Sequence, residues 1–310
     1  MEAAPDARPS VVNGAIQSAP YDHRRPSPPF IHIPPHGTTT SGEPMAGLMP
    51  SYQNAGSTQL TRRDVEIITQ NTMQIAQDRS SDWSYEQRRR AQPLLDFLYL
   101  GPNSVIRDLA FLEREGITFI MVVRDSRMAN TRLASLEKAR QALNIQHHYV
   151  DFRGNEQLIG LFPTVIRTIN DHLLSVYHDM DKRRGKVLIA CETGNERSAT
   201  IAAAYIMAMF NADMVTTLQF ISVQRFCCSL DEDVKRKLQS WEDLLHAQSQ
   251  VAAQNQSVEG TQGLPVNGQH AKRHIDEVVD VNQELVDDQD MDMDEERFTG
   301  RNAFVPFVNQ

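Results

Sequence analysis

The sequence is poor in cysteine and has no long apolar run. Only three of its 310 residues are cysteines and two of these are adjacent, which argues against the dense disulfide framework of small secreted domains. No stretch reaches the roughly 20 apolar residues that a membrane-spanning helix requires, and the first residues lack the basic start and apolar run of a secretory signal. We therefore expect an intracellular protein, cytoplasmic and/or nuclear, that does not bind a membrane.

The two ends of the sequence contain too little apolar surface to fold alone. Residues 1–60 are rich in proline, serine, glycine, threonine and asparagine, and residues 276–296 contain eleven Asp and Glu with no Lys or Arg. Removing these eleven charges from the net charge of -9 leaves +2, so the acidity belongs to the tail. We expect disordered regions at 1–60 and 248–310, the second of them acidic.

The segments within and beside these ends leave alternatives open. Residues 61–81 have the spacing of an amphipathic helix, which is an appendage either packed on the domain that follows or isolated from it. The acidic tail either keeps the chain soluble or binds a basic partner, and the apolar end at 304–308 either binds a partner or packs on the core. The tails can therefore bind further partners, whereas no nucleic-acid partner is expected.

Short apolar runs alternate with helical periods from about residue 83 to 246. This alternation predicts an α/β domain with a central sheet flanked by helices. The predicted strands are 97–100, 117–123, 145–152 and 186–190. The predicted helices are 106–114, 133–143, 162–177, 199–210, 215–223 and 234–245.

The last predicted strand leads directly into the most informative segment of the sequence. The apolar run at 186–190 is followed by Cys-Glu-Thr-Gly-Asn-Glu-Arg-Ser and then by a long apolar helix pattern. Backbone N–H groups in such a loop converge on an anion, and the amino terminus of the helix adds partial positive charge. We therefore expect a phosphate-binding cradle loop (residues 191–198). Its residues are Cys191, Glu192, Thr193, Gly194, Asn195, Glu196, Arg197 and Ser198.

Two residues give the cradle loop its chemistry. Arg197 can bind two phosphate oxygens through its guanidinium group, and the helix dipole lowers the pKa of Cys191, which favours a thiolate able to attack phosphorus. The alternative is a buried structural cysteine with a solvent-exposed arginine, which the strand–loop–helix context disfavours. Glu192 and Glu196, if they faced the anion from about 8 Å, would each oppose it by ~2 kcal/mol at an effective dielectric of about 20.

A cysteine phosphatase also needs an acid that protonates the departing oxygen. Asp151, between a strand and a helix, is the best candidate and Glu156 the second, although either can instead be a surface carboxylate. Losing a general acid typically costs ~10²–10⁴ in rate. No cofactor is expected. No metal site is expected either, since His147 and His148 have no ligand partner at usable spacing.

The cradle loop has the C-x5-R-S signature of cysteine-dependent protein phosphatases and resembles that of the dual-specificity family. Within this family the sequence is similar to the Ser/Thr/Tyr-interacting pseudophosphatases. The resemblance implies the phosphatase fold for a domain at 82–247, with both ends outside it. The segments that carry the resemblance are 83–85, 88–89, 98–102, 116–118, 162–163, 191–201, 204–207 and 224–227.

The sequence departs from the family pattern at its proposed reactive groups. The pseudophosphatases have a glycine where this sequence has Cys191. The family has a histidine before the cysteine, and here Ala190 takes that place, so one group that supports the thiolate is missing. The acid loop of the pseudophosphatases aligns with 151–155, is about two residues longer, and puts Gly154 at the acid's position. A different alignment gives Asp151 that role.

Two functions of different classes fit these residues. The favoured hypothesis is a phosphoprotein-binding pseudophosphatase that recognises phosphorylated Ser, Thr or Tyr through the cradle loop and regulates or scaffolds signalling proteins. The alternative is an active dual-specificity phosphatase that forms a phosphocysteine intermediate at Cys191. Both imply phosphorylated proteins as partners. A third hypothesis, redox sensing by Cys191, requires a resolving cysteine such as Cys227 or Cys228.

Overall fold

The computed structural model describes residues 30–34, 47–55, 58–77, 83–179 and 183–259, with side chains as far as residue 254. All of these residues fall in one structural unit. The remainder of the two predicted disordered regions lies outside the described residues. The acidic segment and the apolar end at the carboxyl terminus are part of that remainder.

Strands and helices alternate through the described residues. The strands are β1 (Gly47–Leu48), β2 (Gln74–Ile75), β3 (Gln92–Leu95), β4 (Leu98–Pro102), β5 (Phe119–Asp125), β6 (Gln146–Phe152) and β7 (Val187–Cys191). The helices are α1 (Arg62–Thr69), α2 (Leu109–Glu115), α3 (Ala134–Leu143), α4 (Leu158–Asp179), α5 (Arg197–Phe210), α6 (Met214–Gln224) and α7 (Glu232–Glu259). Short 3₁₀ turns cover Tyr85–Arg89, Asn103–Arg107, Ser126–Met128 and Asn155–Gln157.

The central sheet has five strands in the order β3-β4-β7-β5-β6. Only β3 runs antiparallel to its neighbour, and the other pairings in this sheet are parallel. Strand β7 lies in the middle and is buried along its whole length, as expected for a continuous apolar run in a parallel sheet. The carboxyl ends of β4, β5, β6 and β7 therefore meet at one edge, where open α/β sheets commonly bind ligands.

Helices cover both faces of the sheet. Helices α1, α4, α5, α6 and α7 contribute to the core on one face, and α2 and α3 contribute to the core on the other. Helix α5 is buried from Ser198 to Phe210, as expected for a helix that is apolar on all sides. Its burial fixes the start of the helix and with it the loop before it. No helix among the described residues is both long and apolar enough to cross a membrane.

The predicted α/β class with a central sheet flanked by helices is confirmed. Each strand and helix predicted between 97 and 245 is present within about four residues at its ends, except that α7 continues to Glu259. Strand β3 was not predicted, because Pro93 lacks a backbone N–H and argues against a strand. The structure accommodates this proline at the edge of the sheet, where β3 pairs only with β4.

The folded part begins upstream of the predicted limit at residue 82. Helix α1 starts with a capping box, in which the Thr61 side chain accepts the Asp64 N–H and the Asp64 side chain accepts the Thr61 N–H. The buried residues of this helix join the core, so the helix packs on the domain, and the described part of 47–60 belongs to the core and not to a disordered region. The composition of residues 1–60 did not predict this packing, because their apolar residues are few and far apart. Those that join the core are Leu48, Leu60, Val65 and Ile68.

His172 of α4 is a buried titratable group at the core. Its ring stacks on Phe119 with the centroids 4.7 Å apart, and its Nε2 lies 2.9 Å from Thr118 Oγ1. Burial lowers the pKa of His172 from 6.5 to about 4. At a pH between these two values, the His172 side chain is therefore protonated in the unfolded chain and neutral in the folded chain. Folding stability is unaffected above pH 6.5 and decreases as the pH falls towards 4.

When the pH is lowered from neutral to about 4, the free energy of unfolding should decrease both in the wild-type protein and in His172→Phe. We expect the decrease to be larger in the wild-type protein, by on the order of 3 kcal/mol. Phenylalanine removes the titrating group and keeps a ring against Phe119. Urea denaturation of both proteins at neutral pH and near pH 4 measures the difference. An identical pH dependence of the two proteins would contradict the assignment to His172.

Candidate functional site

The cradle loop joins the carboxyl end of β7 to the amino end of α5, at the sheet edge where the parallel strands end. Gly194 has a φ of +75°, a conformation that favours glycine. A Cβ at this position would also lie 2.5 Å from Pro102 N. The loop therefore packs directly on the end of β4, and both requirements explain the glycine in the sequence.

Cys191 is the last residue of β7 and is buried. Its Sγ accepts the Gly194 N–H and the Ser198 hydroxyl, each at 3.1 Å. Burial by itself raises the pKa of Cys191. Hydrogen bonds from the Ser198 side chain and from the N–H groups of Ser198, Gly194 and Glu196 outweigh it and hold that pKa below its usual value. These donors favour the thiolate, which is the nucleophilic form of cysteine.

Arg197 is the first residue of α5, and its guanidinium is paired with a carboxylate that the sequence analysis did not identify. Its Nη2 lies 3.4 Å from Oδ2 of Asp125, the last residue of β5. Asp125 also accepts hydrogen bonds from the Arg127 Nε at 3.0 Å, Nη2 at 2.9 Å and backbone N–H at 2.9 Å. These bonds, the side-chain ones foremost, hold the pKa of Asp125 well below its usual range. Arg197 is therefore oriented by an ionised group that competes with an incoming anion.

The two glutamates of the cradle loop, Glu192 and Glu196, are exposed to solvent. Exposure screens their charges, so they oppose an anion less than they would from inside the loop. Thr193 is also exposed, and its Oγ1 accepts the Asn195 N–H at 3.3 Å. Local hydrogen bonding thus stabilises the shape of the loop on its solvent side.

Asp151, the best acid candidate from the sequence, lies on β6 directly opposite Arg124 on β5. Arg124 Nε is 2.5 Å from Asp151 Oδ1, and Arg124 Nη2 is 3.3 Å from Oδ2. Arg124 also donates to the carbonyls of Ala129 and Thr131 and lies over the Tyr149 ring, 3.8 Å from its centroid. Both carboxylate oxygens of Asp151 are therefore bound to one fixed guanidinium.

The loop after Asp151 provides the second candidate, Glu156. This residue is exposed and its carboxylate folds back over Gly154, so that a Cβ added to Gly154 would lie 2.5 Å from Glu156 Oε1. In the alignment that puts Gly154 at the acid's position, that position has no side chain, and the carboxylate of Glu156 lies over it. Among the described residues no group of His, Cys, Asp and Glu side chains is arranged to hold a metal ion.

Arg225, the residue after α6, is 1% exposed. It lies outside the cradle loop in sequence and holds the loop through hydrogen bonds to its carbonyls. Its guanidinium donates to six neutral oxygens of the cradle loop and of the segment at 88–92. A buried cation with this many acceptors connects the two segments rigidly. The acceptors are the carbonyls of Gly194 (2.9 Å), Thr193 (3.4 Å), Arg90 (2.8 Å) and Arg88 (3.0 Å), and the side-chain oxygens of Asn195 (3.1 Å) and Gln92.

The residues after Arg225 also contact the cradle loop. Cys227 Sγ donates to Asn195 Oδ1 at 3.2 Å, and the Ser229 N–H donates to the Asn195 carbonyl at 3.1 Å. All three cysteines are free thiols, and desolvation raises the pKa of Cys228 to about 12. Cys227 is therefore the thiol that contacts the loop directly, while redox sensing by Cys191 stays a prediction.

Asp125 and Arg225 are the two site residues that the sequence analysis missed. Asp125 could have been found, because it ends a predicted parallel strand and must lie at the same sheet edge as Cys191. Arg225 lies in a segment that carries the family resemblance, 224–227, but no local pattern placed it at the cradle loop. Its contacts span more than 130 residues of sequence, and only the packing of α6 beside β3 brings them together.

Comparisons with known proteins identify sequences that are similar to this chain. Residues 98–244 match the family model described as dual specificity phosphatase, catalytic domain. The human serine/threonine/tyrosine-interacting protein is 28% identical over 183 residues, which cover 58% of this chain and 76% of that protein. Its mouse counterpart is 29% identical over 169 residues, 53% of this chain and 70% of that protein.

Among solved structures, the crystal structure of human tyrosine phosphatase-like serine/threonine/tyrosine-interacting protein matches 50% of this chain and 97% of that one. Its TM-score is 0.43 at 28% identity. The sequence matches confirm the resemblance to dual-specificity phosphatases that the cradle loop and its flanks predicted.

We expect Arg225→Met to weaken the binding of vanadate or inorganic phosphate by at least about tenfold. The variant lacks the guanidinium that donates to the Gly194 and Thr193 carbonyls of the cradle loop. Arg225→Lys keeps the charge but reaches fewer acceptors, and should have an intermediate affinity. Isothermal titration calorimetry measures the affinities, and near-UV circular dichroism establishes that each variant is folded.

The matched control is Arg184→Met. Arg184 pairs with Asp96 and donates to the Ile68 carbonyl at 2.9 Å, outside the cradle loop. This control should lose stability and keep its oxyanion affinity. A folded Arg225→Met protein with unchanged affinity would show that Arg225 does not support the loop.

Proposed function

We propose that this chain, whose residues 98–244 match the catalytic domain of dual specificity phosphatases, is a phosphoprotein-binding protein of the pseudophosphatase type. It recognises a phosphorylated Ser, Thr or Tyr side chain through the cradle loop and holds the partner without rapid turnover. Its partners are phosphorylated proteins of the cytoplasm and/or nucleus, which it regulates or scaffolds. The observation that carries this proposal is the pairing of both Asp151 oxygens with Arg124.

The geometry of the cradle loop supports the binding half of the proposal. The loop precedes a buried 14-residue helix, so the helix dipole favours an anion at its start. Arg197 can present two N–H donors to a phosphate once it exchanges Asp125 for the ligand. Arg225 donates to the Gly194 and Thr193 carbonyls of the loop. These contacts support a loop whose shape is already set before a ligand binds.

The arrangement of carboxylates supports slow turnover. Both oxygens of Asp151 accept N–H groups of Arg124, so this carboxylate would have to leave its pairing with the guanidinium to turn towards a leaving group. Gly154 offers no side chain, and Glu156 is exposed on a 3₁₀ turn. Alkoxide leaving groups such as those of serine and threonine depart poorly without protonation, so the barrier to their hydrolysis stays high.

One observation favours the alternative, an active dual-specificity phosphatase. The Ser198 hydroxyl and the loop N–H groups hold the pKa of Cys191 below its usual value despite its burial, and they do this without the histidine that Ala190 replaces. Such a thiolate could attack phosphorus, forming an S–P bond while the P–O bond breaks and the departing oxygen takes a proton from water. Water would then attack phosphorus, and the thiolate would leave as inorganic phosphate is released.

We expect the wild-type protein to hold a phosphotyrosine peptide in a stable complex that vanadate competes off, with little release of inorganic phosphate. Arg197→Ala should abolish the complex, because the bidentate contact is lost, and Arg197→Lys should restore only part of it. Fluorescence polarisation follows the complex and a phosphate-sensor assay follows hydrolysis in the same sample. Rapid stoichiometric release of phosphate that disappears in Cys191→Ser would establish the enzyme instead.

A further inference from the structure

Three aromatic side chains form a cluster at the surface, which we call the aromatic patch: Trp83 is half-buried, and Tyr85 and Phe226 are exposed. The rings of Trp83 and Phe226 have centroids 5.4 Å apart, and those of Trp83 and Tyr85 meet edge to face at 6.5 Å. Phe226 is 56% exposed and Tyr85 is 59% exposed. Large rings that contact each other and still face solvent are a feature of surfaces that bind another molecule.

The aromatic patch borders the cradle loop. Phe226 lies between Arg225, which binds the Gly194 carbonyl at 2.9 Å, and Cys227, which donates to Asn195 at 3.2 Å. The guanidinium of Arg225 also binds the carbonyl of Arg88, on the same 3₁₀ turn as Tyr85, at 3.0 Å. One buried side chain therefore holds both halves of the aromatic patch against the loop that is proposed to bind phosphate.

The charge around the aromatic patch suits the same ligand. Arg88 lies over the Tyr85 ring, with its guanidinium carbon 4.4 Å from the centroid, and Arg89 and Arg90 that follow it are exposed. Glu86 on the same turn pairs with Arg89 at 3.4 Å, so one acidic group stands against three consecutive arginines and the net charge is positive. A surface that combines rings with this charge favours an apolar side chain in a peptide of net negative charge. A phosphorylated peptide has that charge.

We propose that the aromatic patch binds an apolar or aromatic side chain of the phosphorylated partner, close in sequence to the phosphoresidue that occupies the cradle loop. The contact selects among phosphoproteins by the residues next to the phosphate. Since the aromatic patch borders the cradle loop and an extended chain spans about 3.3–3.6 Å per residue, the selected side chain is expected within a few positions of the phosphoresidue. This inference rests on the proposed function of the cradle loop.

The test uses synthetic peptides that contain a non-hydrolysable phosphonate analogue of phosphotyrosine in an otherwise alanine-based sequence. One phenylalanine is placed in turn at each of the three positions on either side. Fluorescence polarisation with the wild-type protein should show at least one position at which phenylalanine tightens binding on the order of tenfold. Phe226→Ala should remove this preference and leave the affinity for vanadate unchanged, and Tyr85→Ala should reduce it.

Val251→Ala is the matched control, because Val251 has the same exposed fraction as Phe226, 56%, but lies 19 residues beyond the start of α7. It should keep the preference. A preference that persists in Phe226→Ala, a complete absence of preference, or equal binding of the unphosphorylated peptides would overturn the assignment of the aromatic patch. If no phosphonate peptide binds at all, the proposed function itself is wrong. Arg197→Ala separates a failure of the aromatic patch from a failure of the proposed function. If the wild-type protein binds the peptides and this variant does not, the phosphonate occupies the cradle loop, and only the assignment of the aromatic patch is then in question.

Discussion

The hydrogen bonds of the Arg225 guanidinium are the interaction on which the candidate site depends. A buried cation is costly unless its donors are satisfied, and here neutral oxygens from two distant segments satisfy them. The segment at 88–92 and the cradle loop are thereby fixed relative to each other. The buried helix α5 fixes the same loop from its other end. A phosphate site made mostly of backbone N–H groups needs this support, because its geometry cannot be corrected by side-chain rotation.

The second constraint is the pairing of β5 with β6. The register sets Arg124 opposite Asp151, so the carboxylate that the sequence favoured as an acid is bound by its cross-strand neighbour. One residue further along β5, Asp125 ends the strand beside Arg197. Both carboxylates at this edge are therefore held by arginines. The buried thiol of Cys191 has a lowered pKa, and the two carboxylates at the same edge are each engaged by an arginine.

The sequence was most informative where one local pattern determines one element. The apolar runs at β5 and β7 and the loop between β7 and α5 were predicted because each is continuous in sequence and has a single buried environment. The edge strand β3 and the packing of residues 47–60 were not predicted, because a proline in one case and sparse apolar residues in the other gave the wrong local signal, while the packing of 61–81 was one of two alternatives left open. The partners of Asp151, Arg197 and Arg225 are set by strand register and helix packing, which a single sequence does not specify.

The dependence of turnover on the leaving group tests the central claim most directly. Rates are measured for a series of aryl phosphates from an acidic nitrophenol to unsubstituted phenol, with the wild-type protein, Asp151→Asn and Glu156→Gln. Without a positioned acid, the rate should fall steeply as the leaving phenol becomes more basic, with the same slope in all three proteins. A flat dependence in the wild-type protein that becomes steep in either variant would identify that carboxylate as the general acid and contradict the account.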